Sequence, residues 1–566
     1  MPRTAKKRNI IQLFVAIASI IIISYISSIV YWRIDLTSEK RFTLSNVTKN
    51  TLKELNDVVY IKVYLNGDMP IGFQRMQKSL KETLDEFRVI SKENIQYEFI
   101  NPSESTNQKV RDALYNDLYK KGLEPTNIQV RDKEGGNSQK ILYPGALITY
   151  KGKEIAVNLL HNNPALSGDE NINLSVQNFE FNFIDAIIKL NTEKLPKLAF
   201  ILGHGELDQY ETGDIDKSLS EYFDTYRVEI NGDITALDPY KVVIVAGPKK
   251  PLPEADKLVI DQYIMKGGKV LWFIDPVSVN VDSLSRGENT VALVNQNNLD
   301  DQLFRYGARL YPSLIQDIQC ALIPVNTSLP GQEPKFVPSP WVYYPLLSSS
   351  GKSPITRNLN MIKTQFISPV DTVGGDGRLK KTVLLTTSPY SRTLNAPMMV
   401  SLTEISRSPL EREFTRSNIP VALLVEGTFE SVFNNRPLSK YNHGQPFDFK
   451  KSSSFNRMIV VSDADIIRND VRPRADGAYI SPLGFDRFTK QTFGNKDLVM
   501  NMVKYLDDDI GLMNLRTRDF KLRMLDKKRI AESRFSWQLF NLLVPSTLLI
   551  IGGLVWLYFR KRKYTK

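Results

Sequence analysis

The sequence predicts an α/β chain bracketed by two membrane helices, and three observations carry that prediction. An uncharged apolar run lies near each end, from Ile10 to Trp32 and from Trp537 to Phe559. Between them, long apolar strands alternate with amphipathic helices. The excess positive charge sits outside both runs rather than on the central region.

Each run has 23 residues, which as a helix gives roughly 35 Å, enough to cross a hydrocarbon core of ~30 Å. A basic n-region before an apolar stretch also fits a signal peptide. An h-region of ~7 to 15 residues ending at small residues, however, is shorter than a run continuing through Ile29, Val30, Tyr31 and Trp32, so an uncleaved anchor is expected. The formal charge is +12, but Arg3, Lys6, Lys7, Arg8, Arg560, Lys561, Arg562, Lys563 and Lys566 lie in the tails, and without those nine 65 basic residues face 62 acidic ones. A nearly neutral centre gives no support for nucleic acid as a partner, whereas basic tails beside spans mark cytoplasmic flanks. The expected layout is a cytoplasmic tail (1–9), a span (10–32), a large region across the membrane, a juxtamembrane segment (510–536), a second span (537–559) and a second cytoplasmic tail (560–566). Lys527, Lys528, Arg529 and Arg534 crowd the outer flank of the second span, but long translocated segments weigh little in the charge rule. Cys320 is the only cysteine, which excludes an intramolecular disulfide, a Cys-x-x-Cys pair and a Cys-based zinc site.

Elements follow in order after the polar connector RIDLTSEKRFTLS (Arg33 to Ser45), with Ser45 or Thr48 as the cap of a first helix. Val58 to Tyr64 is β-branched and reads as a strand, and Phe73 to Ile90 carries Met76, Leu80, Leu84 and Phe87 at helical spacing. Ile95 to Ile100 is a strand, and Val110 to Lys121 a helix stopped by Gly122. Ile141 to Tyr150 and Glu154 to Leu160 form a hairpin about Lys151-Gly152-Lys153, and Phe179 to Leu190 is a helix. The order βαβαββα over 46–190 is that of a thioredoxin-like domain, here without cysteines and so suited to docking rather than thiol chemistry.

Over 195–509, strands Leu198 to Leu202, Tyr226 to Ile230, Val242 to Ala246 and Val270 to Ile274 alternate with helices near Asp216 to Phe223 and over Glu254 to Met265. The strand Met458 to Ser462 and the helix Lys496 to Leu506 return later. This pattern predicts a doubly wound parallel sheet. The stretch 312–451, rich in Pro, Ser and Thr, is expected to be a β-rich insertion or subdomain, with runs at Thr382 to Thr387 and Val421 to Glu426. The basic stretch Leu515 to Arg534 leads into the second span.

In open parallel sheets ligands bind outside the carboxyl ends of strands, which directs attention to Gly203, His204, Gly205, Glu206, Gly247, Asp275, Asp463 and Asp465 as candidate ligand-binding residues. His204 and Glu206 have the chemistry of an acid/base pair. A tight turn closed by its own side chains is the favoured alternative for Gly203 to Glu206, because no nucleophile accompanies it: the turn after Val242 to Ala246 reads Gly-Pro-Lys-Lys-Pro, and no G-x-S-x-G occurs. Gly351-Lys352-Ser353 imitates a P-loop end, but position 346 is Leu346, so an ATPase is excluded. His161, His204 and His443 are isolated, and Asp507-Asp508-Asp509 lacks calcium-loop spacing and reads as solvated; no metal site is predicted. Asp463 and Asp465 read as strand-end turn residues rather than metal ligands. Ser24 and Ser28 in the first span, and Pro545, Ser546, Gly552 and Gly553 in the second, suit helix–helix packing in lipid.

Taken together, RIDLTSEKRFTLS, the Gly-His-Gly-Glu loop, LVEGTFESVFNNR (Leu424 to Arg436), VVSDADIIRND and NLLVPSTLLIIGGLVWLYFRKRKY resemble GldG, the gliding-motility-associated ABC-transporter family of the Bacteroidetes, along the whole chain and in matching order. The resemblance implies an inner-membrane protein with a periplasmic domain, acting with a separate ATPase and a separate permease. It also implies a glutamine-amidotransferase-like domain lacking the catalytic cysteine. The double anchor, the absent nucleotide motif and the absent nucleophile lead to the expectation of a non-catalytic accessory, substrate-binding-like subunit, with no cofactor. Two further readings stay open: a membrane-tethered enzyme using His204 and Glu206, and a structural scaffold joining the membrane complex to a periplasmic partner or ligand.

Overall fold

The computed structural model describes residues 11–22, 24, 43–131, 137–517 and 527–564, apart from short gaps at 162, 164–165, 288, 327, 329–331, 334, 350, 352, 375–376, 407–408, 439–446 and 475–476. The chain divides into two compact units, Met1–Arg518 and Asp519–Lys566. In the second unit, Ser533–Arg562 is long and apolar enough to cross a membrane, and its large apolar side chains are exposed. Near the start, Ile11–Ile22 is a shorter apolar helix. The rest of the expected first span, apart from residue 24, lies outside the described residues.

The first folded layer opens with the helix Asn46–Lys53 and contains β1 (Val59–Val63), α1 (Ile71–Ile90), β2 (Ile95–Phe99), β3 (Gly145–Tyr150), β4 (Lys153–Asn158) and α2 (Phe179–Asn191). Its sheet runs β2-β1-β3-β4, with β1 parallel to β2 and the other pairs antiparallel. In α1, Phe73, Met76, Leu80, Leu84 and Phe87 are buried at the spacing that puts them on one helical face. They meet Ile61, Ile148 and the α2 residues Phe183, Ile184 and Ile187 in a common core. The expected long strand Ile141 to Tyr150 is two strands. Residues up to Leu142 pair with Thr126–Arg131 in a separate hairpin, and those from Gly145 pair with β4. Pro144 lies at the break and lacks the N–H that a continuous ladder would need.

The larger layer is built on β5 (Lys197–Leu202), α3 (Gly213–Leu219), β6 (Asp224–Glu229), β7 (Val242–Ala246), α4 (Glu254–Met265), β8 (Lys269–Phe273), β9 (Cys320–Asn326), β10 (Phe336–Ser349), β11 (Leu379–Thr386), β12 (Pro420–Glu430), β13 (Ser452–Val461) and α5 (Asn495–Asp507). Its ten-stranded sheet follows the path β9-β10-β11-β12-β13-β8-β7-β5-β6, and Ile362–Lys363 pairs with β10. The five strands from β13 to β6 are parallel, and β12, β11, β10 and β9 extend the sheet antiparallel. Alternate residues serve opposite faces: Val242, Ile244 and Phe273 pack against Ile215, Leu219, Leu498 and Met502, while Val243, Val245 and Trp272 pack against Val259, Ile260 and Ile264. Helices therefore cover both faces.

Two runs of the β-rich stretch join the large sheet. Thr382 to Thr386 and Val421 to Glu426 belong to β11 and β12 and extend the parallel strands as an antiparallel wing, with apolar residues buried in the cores of both faces: Leu384 and Leu424 in one, Leu423 and Val425 in the other. Beyond β12, the Asp261 carboxylate on α4 accepts hydrogen bonds from Ser431 Oγ (2.6 Å), the Val432 N–H (3.0 Å) and Tyr306 OH (2.8 Å). That strap accounts for the turn in LVEGTFESVFNNR.

Candidate functional site

The topology lines up every residue singled out at the strand ends. Gly203 to Glu206 follow β5, Gly247 follows β7, Asp275 lies beyond β8, and Asp463 and Asp465 follow β13. These four strands are neighbours in the sheet, so their loops form one edge. Gly247 has φ +65°, and a Cβ there would stand 2.8 Å from the Ala464 Cβ, so the close approach of these loops favours glycine at this position.

His204 is held from both sides. Its Nδ1 lies 2.9 Å from Glu206 Oε1 and its Nε2 2.8 Å from Asp256 Oδ2, and its own N–H donates to Glu206 Oε2 at 2.7 Å. Asp256 Oδ1 accepts the Gly232 N–H at 2.6 Å, and the His204 carbonyl accepts the N–H groups of Lys249 and Lys250. His204 and Asp256 are both buried. Burial alone would depress the imidazole, but the hydrogen bonds to Asp256 and Glu206 and their negative charge outweigh it, raising its pKa to about 9. At neutral pH the ring is an imidazolium with both N–H groups committed. The arrangement ties the loops after β5, β6 and β7 to the first turn of α4.

Asp256 is the member that sequence reasoning missed. It lies 52 residues from His204, and its one local signal is a carboxylate in the first turn of a helix opened by Pro253. Beside the ring, a cleft of about 230 Å³ is lined by Gly203, His204, Ile230, Asn231, Lys250 and Asp256 among others.

Two strands away the balance differs. Asp275 Oδ1 accepts the Ala464 N–H at 2.7 Å, and Asp463 accepts the N–H groups of Asp465 (2.7 Å) and Gln365 (3.1 Å). Arg468 reaches Asp465 at 3.4 Å and Glu211 at 2.8 Å. Burial, with the charge of Asp465 added, pushes the Asp275 carboxyl up to about 7, and burial with both neighbouring carboxylates pushes Asp463 well above the usual range. Burial also raises Asp465 against the pull of Arg468. Among the described residues no group of three or more His, Cys, Asp or Glu is arranged to hold a metal ion.

The Asp507-Asp508-Asp509 run is not simply solvated. Lys241 Nζ pairs with Asp507 at 2.7 Å and Asp509 at 3.0 Å, and the Asp508 carboxylate accepts the N–H groups of Leu512 (2.9 Å) and Met513 (2.7 Å). The run anchors the chain at the opposite, amino-terminal edge of the sheet, because Lys241 directly precedes β7.

Residues 195–502, more than half of the chain and the whole of this site, match the family described as ABC-type uncharacterized transport system. The chain belongs to that family. Membership in this transport family indicates an auxiliary component of an ABC-type transport system, associated with transporter subunits. Residues 38–149 match a domain of unknown function. An uncharacterized protein of Borreliella burgdorferi is 22% identical over 588 aligned residues, covering 99% of each chain. Among solved structures, the mmIFT52 N-terminal domain covers 56% of this chain and 98% of its own length at 12% identity, with a TM-score of 0.32. An exo-beta-1,4-mannosidase of Opitutaceae bacterium strain TAV5 covers 68% and 44% at 10% identity, with a TM-score of 0.20. Both superpositions are too slight to speak for a shared fold.

Proposed function

We propose that the chain is a non-catalytic, membrane-anchored subunit of an ABC transporter of the gliding-motility-associated kind, whose periplasmic domains are coupled to the permease through the two terminal apolar helices. The observation that carries the non-catalytic part is the state of His204. A general base needs a free ring nitrogen within reach of a substrate proton, and both nitrogens are taken by carboxylates at 2.9 and 2.8 Å. The neighbouring loop, Gly247 to Pro251, supplies no serine or cysteine to activate. Gly203, His204, Gly205, Glu206, Gly247, Asp275, Asp463 and Asp465 then form a fixed edge that can receive a ligand or partner without acting on it chemically. The transporter part rests on the family, the apolar helix Ser533–Arg562 and the resemblance along the whole sequence.

Purification of the full chain in mild detergent tests the reading. An ATPase and a permease are expected to co-purify, and recovery of the chain without either overturns the transporter assignment. Replacing His204 by Asn and Glu206 by Gln separates the enzymatic alternative: a complex that assembles and transports normally removes it.

A further inference from the structure

We propose that helix α2 is a coupling hub: its first turn grips both chain segments that lead toward the terminal apolar helices, so that loosening one segment loosens the other. The entry segment is held by Glu180. Its Oε1 accepts the Ser45 N–H at 2.7 Å and the Thr48 hydroxyl at 2.6 Å. Ser45 is the N-cap of helix Asn46–Lys53 and accepts the Thr48 N–H at 2.9 Å. One carboxylate thus fixes the start of the folded chain after the amino-terminal apolar helix.

The exit segment is held next to it. After α5 and the Asp508 cap, the 3-10 turn Leu512–Thr517 sends Leu512, Met513 and Leu515 into the same apolar core as α2. Met513 is 1% exposed. Arg516 then lies over the ring of Phe181, the residue after Glu180, at 5.5 Å. Arg357, from the larger layer, donates to the Thr517 carbonyl at 2.8 Å and accepts from Arg516 at 3.3 Å through its own carbonyl. The next described helix begins at Lys527 and contains the apolar run.

The other end of α2 faces the larger layer. Asp185 receives Lys504 at 2.8 Å and Tyr222 OH at 3.2 Å, and Lys189, four residues on and so on the same helical face, pairs with Glu221 at 2.9 Å. Lys504 belongs to α5, the helix that runs into the exit segment. A closed circuit results: α2 to α5 through Asp185, α5 to the exit turn through the backbone, and the exit turn back to α2 through Met513 and Arg516. The entry segment joins this circuit at Glu180. Independent tethers would need no shared helix, whereas here consecutive residues of one helical turn carry both.

Hydrogen exchange on the full chain in detergent tests the hub. Glu180→Gln weakens the charge-assisted bonds to Ser45 and Thr48. It is expected to speed exchange roughly tenfold at helix Asn46–Lys53 and also at the Leu512 and Met513 amides, while β7 stays protected. The reverse variant, Met513→Ala, is expected to speed exchange at Asn46–Lys53. A response confined to the altered segment in both variants overturns the proposal. Should Glu180→Gln also expose β7, Thr48→Val, which removes the hydroxyl's bonds to Glu180 and Ser45 and leaves the Glu180 bond to the Ser45 N–H, decides: faster exchange at Leu512 and Met513 supports the hub, and an unchanged rate there sinks it.

Discussion

Two groups of charges sit on one edge of the same sheet and are balanced in opposite ways. Around His204, one imidazolium lies between two carboxylates, each within 2.9 Å. Around Asp275, three buried carboxylates face the partly exposed Arg468, which pairs with Asp465 and with another acid, Glu211, and the charge of Lys249, which acts on Asp275 and Asp465. The first group raises the pKa of its base and the second raises the pKa values of its acids. In the first, ionisation stabilises the fold; in the second, it works against it. Residue types alone would class both as acid/base clusters, and only the count of charges facing each group tells a lock from a strained cluster.

The largest effect should come from opening the lock. Asp256→Ala removes one of the two carboxylates holding a buried imidazolium and leaves the Gly232 N–H without its acceptor. Breaking a buried pair from one side costs about 3–5 kcal/mol, so thermal unfolding of the full chain in detergent should begin markedly earlier. An unchanged midpoint would show that the lock contributes nothing. Next comes pH. The folded pKa of His204 is about 9, above the unfolded value near 6.5. Its contribution is therefore full below pH ~6.5 and lost as pH rises through 9, on the order of 3 kcal/mol. His204→Asn should abolish that alkaline slope. A slope that persists in the variant would assign it elsewhere.

Much of this edge was legible in the sequence, for a local reason. Strands β5, β7 and β8 are continuous apolar runs whose ends are marked by Gly203, Gly247 and Asp275, and the structure ends them within a residue or two of those marks. What remained hidden depends on distant chain. Asp256 looks like any first-turn acid until α4 is packed across the sheet and brings it to His204. Asp507 to Asp509 looked solvated because Lys241 is 266 residues away. Thr382 to Thr387 and Val421 to Glu426 are recognisable as strands, but their place in the large sheet follows from antiparallel pairing of β11 with β12 and of β12 with β13, which no local pattern encodes.

A smaller effect of opposite sign is expected in the strained cluster. Asp275 has a folded pKa near 7 against an unfolded value near 3.9. The native state therefore keeps a proton that the unfolded chain releases, and stability falls as pH rises from ~4 to 7. Asp275→Asn retains an oxygen for the Ala464 N–H and removes the charge, so it should stabilise by about 1–2 kcal/mol at pH 8 and change little at pH 4. A loss of stability at pH 8 would mean that the ionised carboxylate has a partner the geometry does not reveal.

The smallest effect is the sharpest test of the contrast, because it probes the arginine that pairs with Asp465. Arg468 joins Asp465 to Glu211 with its side chain 46% exposed, so as a surface pair it is worth about 0.5–1 kcal/mol at most. That value should itself depend on pH. Near pH 5 the raised pKa keeps the proton on Asp275, and Arg468→Gln should be close to neutral. At pH 8 Asp275 ionises, the cation has more to compensate, and the same substitution should cost its full increment. The His204 lock predicts no such growth between pH 5 and 8 for a neighbouring lysine such as Lys250, since His204, with a pKa of about 9, keeps its charge across that range. If Arg468→Gln and Lys250→Gln showed the same pH dependence, the two groups would be electrostatically alike and the distinction between lock and strained cluster would fail.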